Sequence, residues 1–222
     1  MLKLSKIRAL AKLVDLPKYI KKNPNAVEDM EALEDEYFEG YYAQDAEDLA
    51  DDLIQPGATG VGYVDDAGKL KGHIYGYDLI REDNLEDVDL NNLQCYSGEC
   101  ESPDFVDNLY RAADDGKILY VANFIVAAES RMRIKEILME ASNMLNGTQY
   151  EYLAFEALPD TMRLLFNKEG GPKTERLDSF GIEVVAVLPI DERNMVLLKR
   201  TEGVKSPIFN LKKIRNKMRG II

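Results

Sequence analysis

One stretch, residues 118–172, decides the fold that the sequence predicts. It reads ILYVANFIV (118–126), AAESR (127–131), MRIKEILMEASNMLN (132–146), YEYLAFEAL (150–158) and DTMRLLFNKE (160–169), and it closes at Gly170-Gly171-Pro172. The two apolar runs are typical of buried strands, and the helical periodicity after each predicts a βαβα unit with a parallel strand pair. Such sheets bind ligands at the carboxyl ends of their strands, here near Val126–Arg133 and Glu156–Asp160.

Further strands surround this unit. Upstream, ATGVGYV (58–64) and KLKGHIYGYDLI (69–80) alternate on either side of the turn DDAG, which predicts a hairpin. Downstream, IEVVAVLPI (182–190) and MVLLKR (195–200) predict two last strands. This order resembles the GNAT superfamily of acetyl-CoA-dependent N-acetyltransferases over residues 58–200. The resemblance implies an α/β (α+β) fold, a mixed central sheet flanked by helices, and transfer of an acyl group to an amine.

The resemblance also implies a place for the cofactor. GNAT enzymes hold the acetyl-CoA pyrophosphate on backbone amides in the pattern R/Q-x-x-G-x-G/A, where glycine lets the backbone approach the phosphates. The matching register here begins at Arg131, but Ile134 and Glu136 fill both glycine positions. The cofactor-binding residues that we expect on this basis are Val126, Arg131, Met132, Arg133 and Asn123.

Proton transfer is the second expectation from the resemblance. Many GNAT enzymes use a tyrosine on the helix after the fifth strand to protonate the departing thiolate, whereas Phe166 stands here and has no proton to donate. Attack by an amine also requires a group that accepts its proton. By position, we expect Glu156 and Tyr120 as the catalytic residues. Asn123 and Glu129 have structural alternatives, as a partner of backbone groups and as a helix cap.

Residues 26–54 predict an acidic helix or a helix pair with a break between Gly40 and Gln44. In the resembling family the helices before the hairpin wall the acceptor site, which would place Tyr37, Tyr41 and Tyr42 there. Core packing is the alternative for these aromatic residues. The family's usual first strand is not visible in the sequence. His73, alone in its strand, is expected to be packed or on the surface rather than catalytic.

An acidic insertion, residues 81–116, interrupts the family's element order and ends in a predicted short helix, FVDNLYRAAD (105–114). It could attract a cationic acceptor or form a solvated surface. We expect Cys95 and Cys100 to be free thiols of a cytoplasmic protein. With one histidine and two cysteines, no metal site is expected.

Charge divides the chain into a body and two ends. The net charge is −12, yet seven Lys/Arg and one Asp lie in residues 1–22 and eight Lys/Arg and one Glu in residues 199–222. An acidic body excludes nucleic acid from the main surface, whereas basic ends can dock onto an acidic partner. Residues 4–16 have the spacing of a basic amphipathic helix, and residues 203–222 have a similar character. No apolar run is long enough for a transmembrane segment.

These patterns predict three parts: a basic N-terminal extension (1–25), a GNAT-like domain (26–200) and a basic C-terminal tail (201–222). Two functions remain open. The first is acetyl-CoA-dependent N-acetyltransfer in the cytoplasm to an amine of a protein or small molecule. The alternative is a catalytically inactive GNAT-fold interaction protein, for example a phage virion component that docks through residues 1–22 and 203–222.

Overall fold

The computed structural model describes residues 12–38, 43–79, 92–127, 149–157, 162–163, 165–178, 182–190 and 193–201. The described strands are β1 (Lys12–Asp15), β2 (Thr59–Val64), β3 (Leu70–Asp78), β4 (Gln94–Cys95), β5 (Ile118–Val126), β6 (Tyr152–Ala157), β7 (Ile182–Ile190) and β8 (Arg193–Arg200). The described helices are α1 (Leu16–Lys22), α2 (Ala26–Tyr37), α3 (Ala46–Asp52), α4 (Phe105–Asp114) and α5 (Thr174–Asp178). Among these residues, no helix is both long and apolar enough to cross a membrane.

The sheet is mixed, as the sequence predicted. Its strand order is β1-β2-β3-β5-β6-β8-β7-β4. The pair β5 and β6 is parallel, with Ile118 opposite Tyr152 and Tyr120 opposite Ala154, and both strands continue beyond this register. The predicted parallel pair is therefore confirmed.

The chain forms two compact units. The first comprises Met1–Tyr77 and Val121–Thr148, and the second comprises Asp78–Tyr120 and Gln149–Ile222. In the first unit, α1, α2 and α3 pack on β3 around fully buried apolar side chains such as Leu16, Met30 and Leu49. In the second, α4 packs on its strands around an apolar cluster that includes Phe105, Ile118 and Val185.

The β2–β3 hairpin of the first unit is confirmed, and its turn has a local cause. The Asp65 carboxylate accepts the backbone amides of Ala67 and Lys69, both at 2.9 Å, and Gly68 adopts a φ of +82°. On β2, a Cβ added at Gly60 would lie 2.6 Å from the Tyr75 Cβ atom. Glycine is therefore required for Tyr75 to enter the space beneath the helices.

The N-terminal prediction was wrong in its described part. Residues 12–15 form a strand that pairs antiparallel with β2, so the first strand of the fold is present. Helix α1 starts where the predicted helix was to end, because Asp15 caps it by accepting the Lys18 amide at 3.1 Å and Pro17 suits the first turn. Residues 4–11 and residues 202–222 of the predicted C-terminal tail lie outside the described residues.

The cysteine prediction was also wrong. Cys95 and Cys100 form a disulfide with a Cα–Cα distance of 5.4 Å. Residues 97–102 follow β4 as turns and bring Cys100 back to Cys95, and Cys100 is buried. Neither cysteine is therefore a free thiol. The predicted helix at residues 105–114 is confirmed as α4.

Candidate active site

Helix α2 brings a carboxyl group into the interior of the first unit. Its buried side chains include Met30, Leu33 and Glu34, which lie on one stripe of the helix. The Glu34 side chain is 0% exposed, although the stripe is otherwise apolar. Glu34 was not predicted as a site residue because the carboxylates of an acidic helix are expected in solvent. The available signal was the position of Glu34 directly after Leu33 on the predicted inner face.

Glu34 meets Asn123 of β5. The Asn123 amide donates a hydrogen bond from Nδ2 to Glu34 Oε1. Glu34 Oε2 and Asn123 Oδ1 are both buried and have no hydrogen-bond partner among the described residues. A buried acceptor without a donor costs free energy, so a pair of such atoms in one place indicates a site built to receive a donor.

Burial sets the protonation of this carboxyl group. Removal from water raises the pKa of Glu34 from its ordinary 4.5 to about 7, although the Gln44 backbone amide and the Asn123 side chain each lower it in part. Neighbouring Asp35 and Asp52 raise the pKa a little further. Near neutral pH, Glu34 therefore exchanges a proton readily, which is the property of a general base or acid.

A hydrogen-bonded network connects this pair to the partly exposed side of α3. The Gln44 Nε2 atom donates to Asp52 Oδ2 at 3.1 Å. The Tyr75 hydroxyl lies 3.2 Å from Gln44 Oε1 and 3.1 Å from Asp52 Oδ2. Burial, followed by the nearby Asp52 charge, raises the pKa of Tyr75, so this phenol remains protonated and serves as a donor.

His73 of β3 lies beside Tyr75, with 5.7 Å between the ring centroids. Its side chain is 0% exposed, and burial lowers its pKa to about 3. The imidazole is therefore neutral at physiological pH. Neither ring nitrogen has a hydrogen-bond partner among the described residues. The sequence prediction of a packed histidine agrees with this position.

Of the predicted site residues, three lie within the described part of β5. Asn123 is buried against Glu34, and Val126 is buried at the end of the strand. Tyr120 is half-buried and packs on the apolar cluster of the second unit. Arg131, Met132, Arg133 and Glu129 lie outside the described residues, as do Tyr41 and Tyr42.

Glu156 of β6 forms an ion pair with Arg193, and its side chain is 26% exposed. The arginine neutralises this carboxylate locally. Among the described residues, the ion pair does not involve any other predicted site residue. Phe166 is buried among apolar side chains and lies 5.1 Å from the Tyr96 ring between centroids. This phenylalanine therefore has a packing role.

A second carboxylate network lies in the second unit. Glu99 accepts hydrogen bonds from the Tyr152 hydroxyl and the Lys199 ammonium group. Burial alone would raise the pKa of Glu99, but the bonds from Lys199 and Tyr152 outweigh it and lower the pKa. Burial and the Glu99 hydrogen bond raise the pKa of Tyr152 to about 12. Here the chain supplies its own cation.

No group of three or more His, Cys, Asp or Glu side chains within the described ranges is arranged to hold a metal ion. The second unit also contains an apolar cavity of about 30 Å³, lined by side chains such as Phe105, Leu109 and Met195. Its lining offers no charged group, so it lacks the chemistry of a catalytic centre. The polar network around Glu34 is the stronger candidate site.

Comparison with known proteins supports the fold. No protein-family model and no curated protein matches the chain. Among solved structures, a candidate acetyltransferase from Acinetobacter baylyi ADP1 is similar with a TM-score of 0.52 and 11% identity, over 87% of this chain and 93% of that one. A GNAT-family acetyltransferase from Staphylococcus aureus Mu50 has a TM-score of 0.49 and 8% identity, over 87% and 100%. Ard1 from Thermoplasma volcanium has a TM-score of 0.49 and 14% identity, over 86% and 97%.

The first of these likenesses, together with the mixed eight-stranded sheet, shows a GNAT-like fold. The fold class predicted from the order of elements is thereby confirmed. At identities this low, a shared fold does not carry over an activity or a set of residues. The chemistry must be argued from the side chains of this chain.

Proposed function

We propose that the protein is an acyl-CoA-dependent N-acyltransferase, with acetyl-CoA as the simplest donor and an amine as acceptor. The observation that carries the proposal is Glu34, a buried carboxyl group whose pKa lies near 7 and which Asn123 holds against β5. An amine attacks only after losing a proton, and a group with a pKa close to the working pH accepts that proton most effectively.

The reaction balances with one proton acceptor. Acyl-CoA would supply the activated thioester carbonyl. The amine nitrogen would form a bond to the acyl carbon, the carbon–sulfur bond would break, and the amine proton would pass to Glu34. The departing thiolate would take a proton from solvent, since Phe166 has none to donate. Glu34 then releases its proton, which a pKa near 7 permits at neutral pH.

The place for the cofactor in this proposal is the carboxyl end of β5. In the proposal, backbone groups of β5 beyond its described register with β6 pair with amides of the ligand. The pantetheine arm of coenzyme A contains such amides. Beyond Val126 the sequence places Arg131 and Arg133, and in the proposal these cations contact the pyrophosphate with Met132 between them.

Calorimetric titration with acetyl-CoA and with CoA tests the cofactor part. We expect micromolar binding that Arg131→Glu weakens at least tenfold, because the change places a negative charge where the proposal puts the phosphates. Lys168→Glu, in an exposed turn, is the matched control for the charge reversal and should bind like the unchanged protein. Binding that is equally strong in all three proteins would contradict the pyrophosphate assignment.

Three carboxyl or phenol variants test which group handles the proton. Glu34→Gln should reduce the rate of acyl transfer at saturating donor by roughly a hundredfold, the usual contribution of a general base. Glu156→Gln and Tyr120→Phe cover the two residues predicted from the sequence. A large loss in Glu156→Gln with full activity in Glu34→Gln would transfer the role to Glu156.

Phe166 supports a second candidate function, a catalytically inactive protein with this fold. Its side chain is buried in an apolar cluster, at the place where the resemblance leads one to expect a phenol. In that case the basic ends, residues 1–22 and 203–222, would dock the protein into an assembly such as a phage particle. Absence of binding to acetyl-CoA and CoA at millimolar concentration would favour this function over the first.

A further inference from the structure

Helices α2 and α3 carry ten carboxylate side chains and contain no lysine, arginine or histidine. Some of these acids stabilise the fold. The Asp29 carboxylate accepts the Leu70 amide at 2.9 Å and lies 3.8 Å from the Lys69 ammonium group. Glu47 and Asp48 lie in the first turn of α3, where a negative charge complements the helix dipole.

Other acidic residues of α2 and α3 destabilise the helix in which they lie. Asp35 and Glu36 lie near the end of α2, and Asp51 and Asp52 lie at the end of α3. Negative charge is unfavourable at a helix C-terminus, and neither last turn contains a basic residue. Acids that destabilise their own helices require another explanation, and attraction of a cationic ligand is one.

The unpartnered atoms at the inner end of the network point to the same ligand. When Glu34 is ionised, its Oε2 atom and Asn123 Oδ1 both accept hydrogen bonds and donate none. Glu34 is 0% exposed and Asn123 is 7% exposed, so neither atom is satisfied by bulk water. A group that carries several N–H donors and a positive charge complements both atoms at once.

The network extends from the buried pair to half-buried side chains. Gln44 and Asp52 are half-buried, and they extend the polar chain from Glu34 toward the exposed carboxylates of α3. Asp52 shares its oxygen between the Gln44 amide and the Tyr75 hydroxyl, both neutral donors. Displacement of the Gln44 side chain by an ammonium group would replace a neutral hydrogen bond to Asp52 with a charge-assisted one.

We propose that Glu34, Asn123 and Asp52 bind a primary ammonium group of an aliphatic di- or polyamine, which is the acyl acceptor. The first ammonium group lies between Glu34 and Asp52, and the further charges of the ligand lie along the exposed acids of α2 and α3. The identification as acceptor depends on the acyltransferase proposed above, whereas the binding site stands on the described side chains alone.

Calorimetric titration with spermidine, 1,4-diaminobutane and butylamine, without any acyl donor, tests the site. Affinity should rise with the number of charges on the probe. Glu34→Gln should weaken spermidine binding roughly tenfold, because a charge-assisted hydrogen bond becomes a neutral one at an isosteric side chain. Asp52→Asn should have a similar effect. Glu175→Gln removes an equal charge from an exposed position of α5 in the second unit and should change the affinity less than about twofold.

Separate titration with acetyl-CoA distinguishes failure of this proposal from failure of the acyltransferase assignment. Equal losses in Glu34→Gln and Glu175→Gln would overturn the site, since the attraction would then be a general charge effect. Absence of amine binding by a protein that binds acetyl-CoA would overturn the site and leave the acyltransferase. Glu34-dependent amine binding without acetyl-CoA binding would support the site and refute the acyltransferase. Circular dichroism of each variant verifies that the fold is retained.

Discussion

Glu34 and Glu99 are two glutamates of one chain that differ in burial, since Glu34 is fully buried and the Glu99 side chain is 33% exposed, and in whether a lysine lies against the carboxylate. Glu99 in the second unit has a lysine, Lys199, on its carboxylate, and its pKa is lowered. Glu34 in the first unit has an amide, Asn123, and its pKa is raised to about 7. A carboxylate that has its cation within the chain is a structural ion pair. A carboxyl group that is buried without one remains available to a proton or a cationic ligand.

The largest expected effect concerns the pH dependence of stability. Because the folded-state pKa of Glu34 lies above its ordinary value, the folded chain binds this proton more tightly than the unfolded chain. The stability from the protonated form is fully present below about pH 4.5 and is lost as the pH rises through about 7. The loss amounts to roughly 3 kcal/mol, at 1.36 kcal/mol per pKa unit.

Urea unfolding of the unchanged protein and of Glu34→Gln between pH 5 and pH 8 measures this effect. The glutamine cannot ionise, so the loss with rising pH should be largely absent in the variant, which should be the more stable protein at pH 8. Asp35 and Asp52, which lie next to Glu34, are present in both proteins, so the comparison isolates the effect of the Glu34 side chain. An identical pH dependence in the two proteins would mean that Glu34 titrates like an exposed glutamate.

The next effect comes from removal of the amide partner. Asn123→Leu keeps about the same volume but removes the side-chain donor to Glu34 Oε1, which should cost about 2 kcal/mol. The cost should be larger at pH 8 than at pH 5, because a charged carboxylate loses more than a neutral one. A double-mutant cycle with Glu34→Gln isolates the interaction. A coupling energy near zero would show that the two side chains do not depend on each other.

These two residues also show where sequence reasoning succeeds and where it stops. Alternating apolar residues and Gly68 predicted the β2–β3 hairpin, and the long apolar runs predicted β5, β6 and β7, because local pattern and buried face agree there. The strand β1 was missed because Leu13 and Val14 fit a helical spacing as well as a strand. Glu34 and the Cys95–Cys100 bond depend on side chains that meet only after folding, and no periodicity reports such contacts.

Removal of the disulfide should have a smaller effect on the free energy of unfolding, and it concerns the surroundings of Glu99 rather than those of Glu34. Cys95→Ser with Cys100→Ser opens a ring of few residues and should cost about 2 kcal/mol by the loop-entropy relation. Because Glu99 directly precedes Cys100, the change should also raise the pKa of Glu99 toward its ordinary value. Denaturant unfolding and a carboxyl pH titration by NMR measure the two quantities. An unchanged Glu99 pKa would show that Lys199 and Tyr152 hold this carboxylate without help from the disulfide.

The substitution with the smallest expected effect tests the contrast between the two glutamates most directly, because it leaves Glu99, like Glu34, without a lysine against its carboxylate. Lys199→Met removes the cation and keeps most of the apolar stem. Both side chains of the pair are about one-third exposed, so solvent screens the interaction and the loss should be less than about 1 kcal/mol.

The pH dependence of this loss has a defined sign. Since the pKa of Glu99 is lowered in the fold, the contribution of this ion pair to the free energy of unfolding is present above the ordinary pKa and disappears as the pH falls. The cost of Lys199→Met should therefore vanish in acid, whereas the cost of Asn123→Leu only decreases there. If instead Lys199→Met cost the same at pH 3 and pH 7, the lysine would act through packing, and the contrast between a self-neutralised and an unpaired carboxyl group would lose its electrostatic basis.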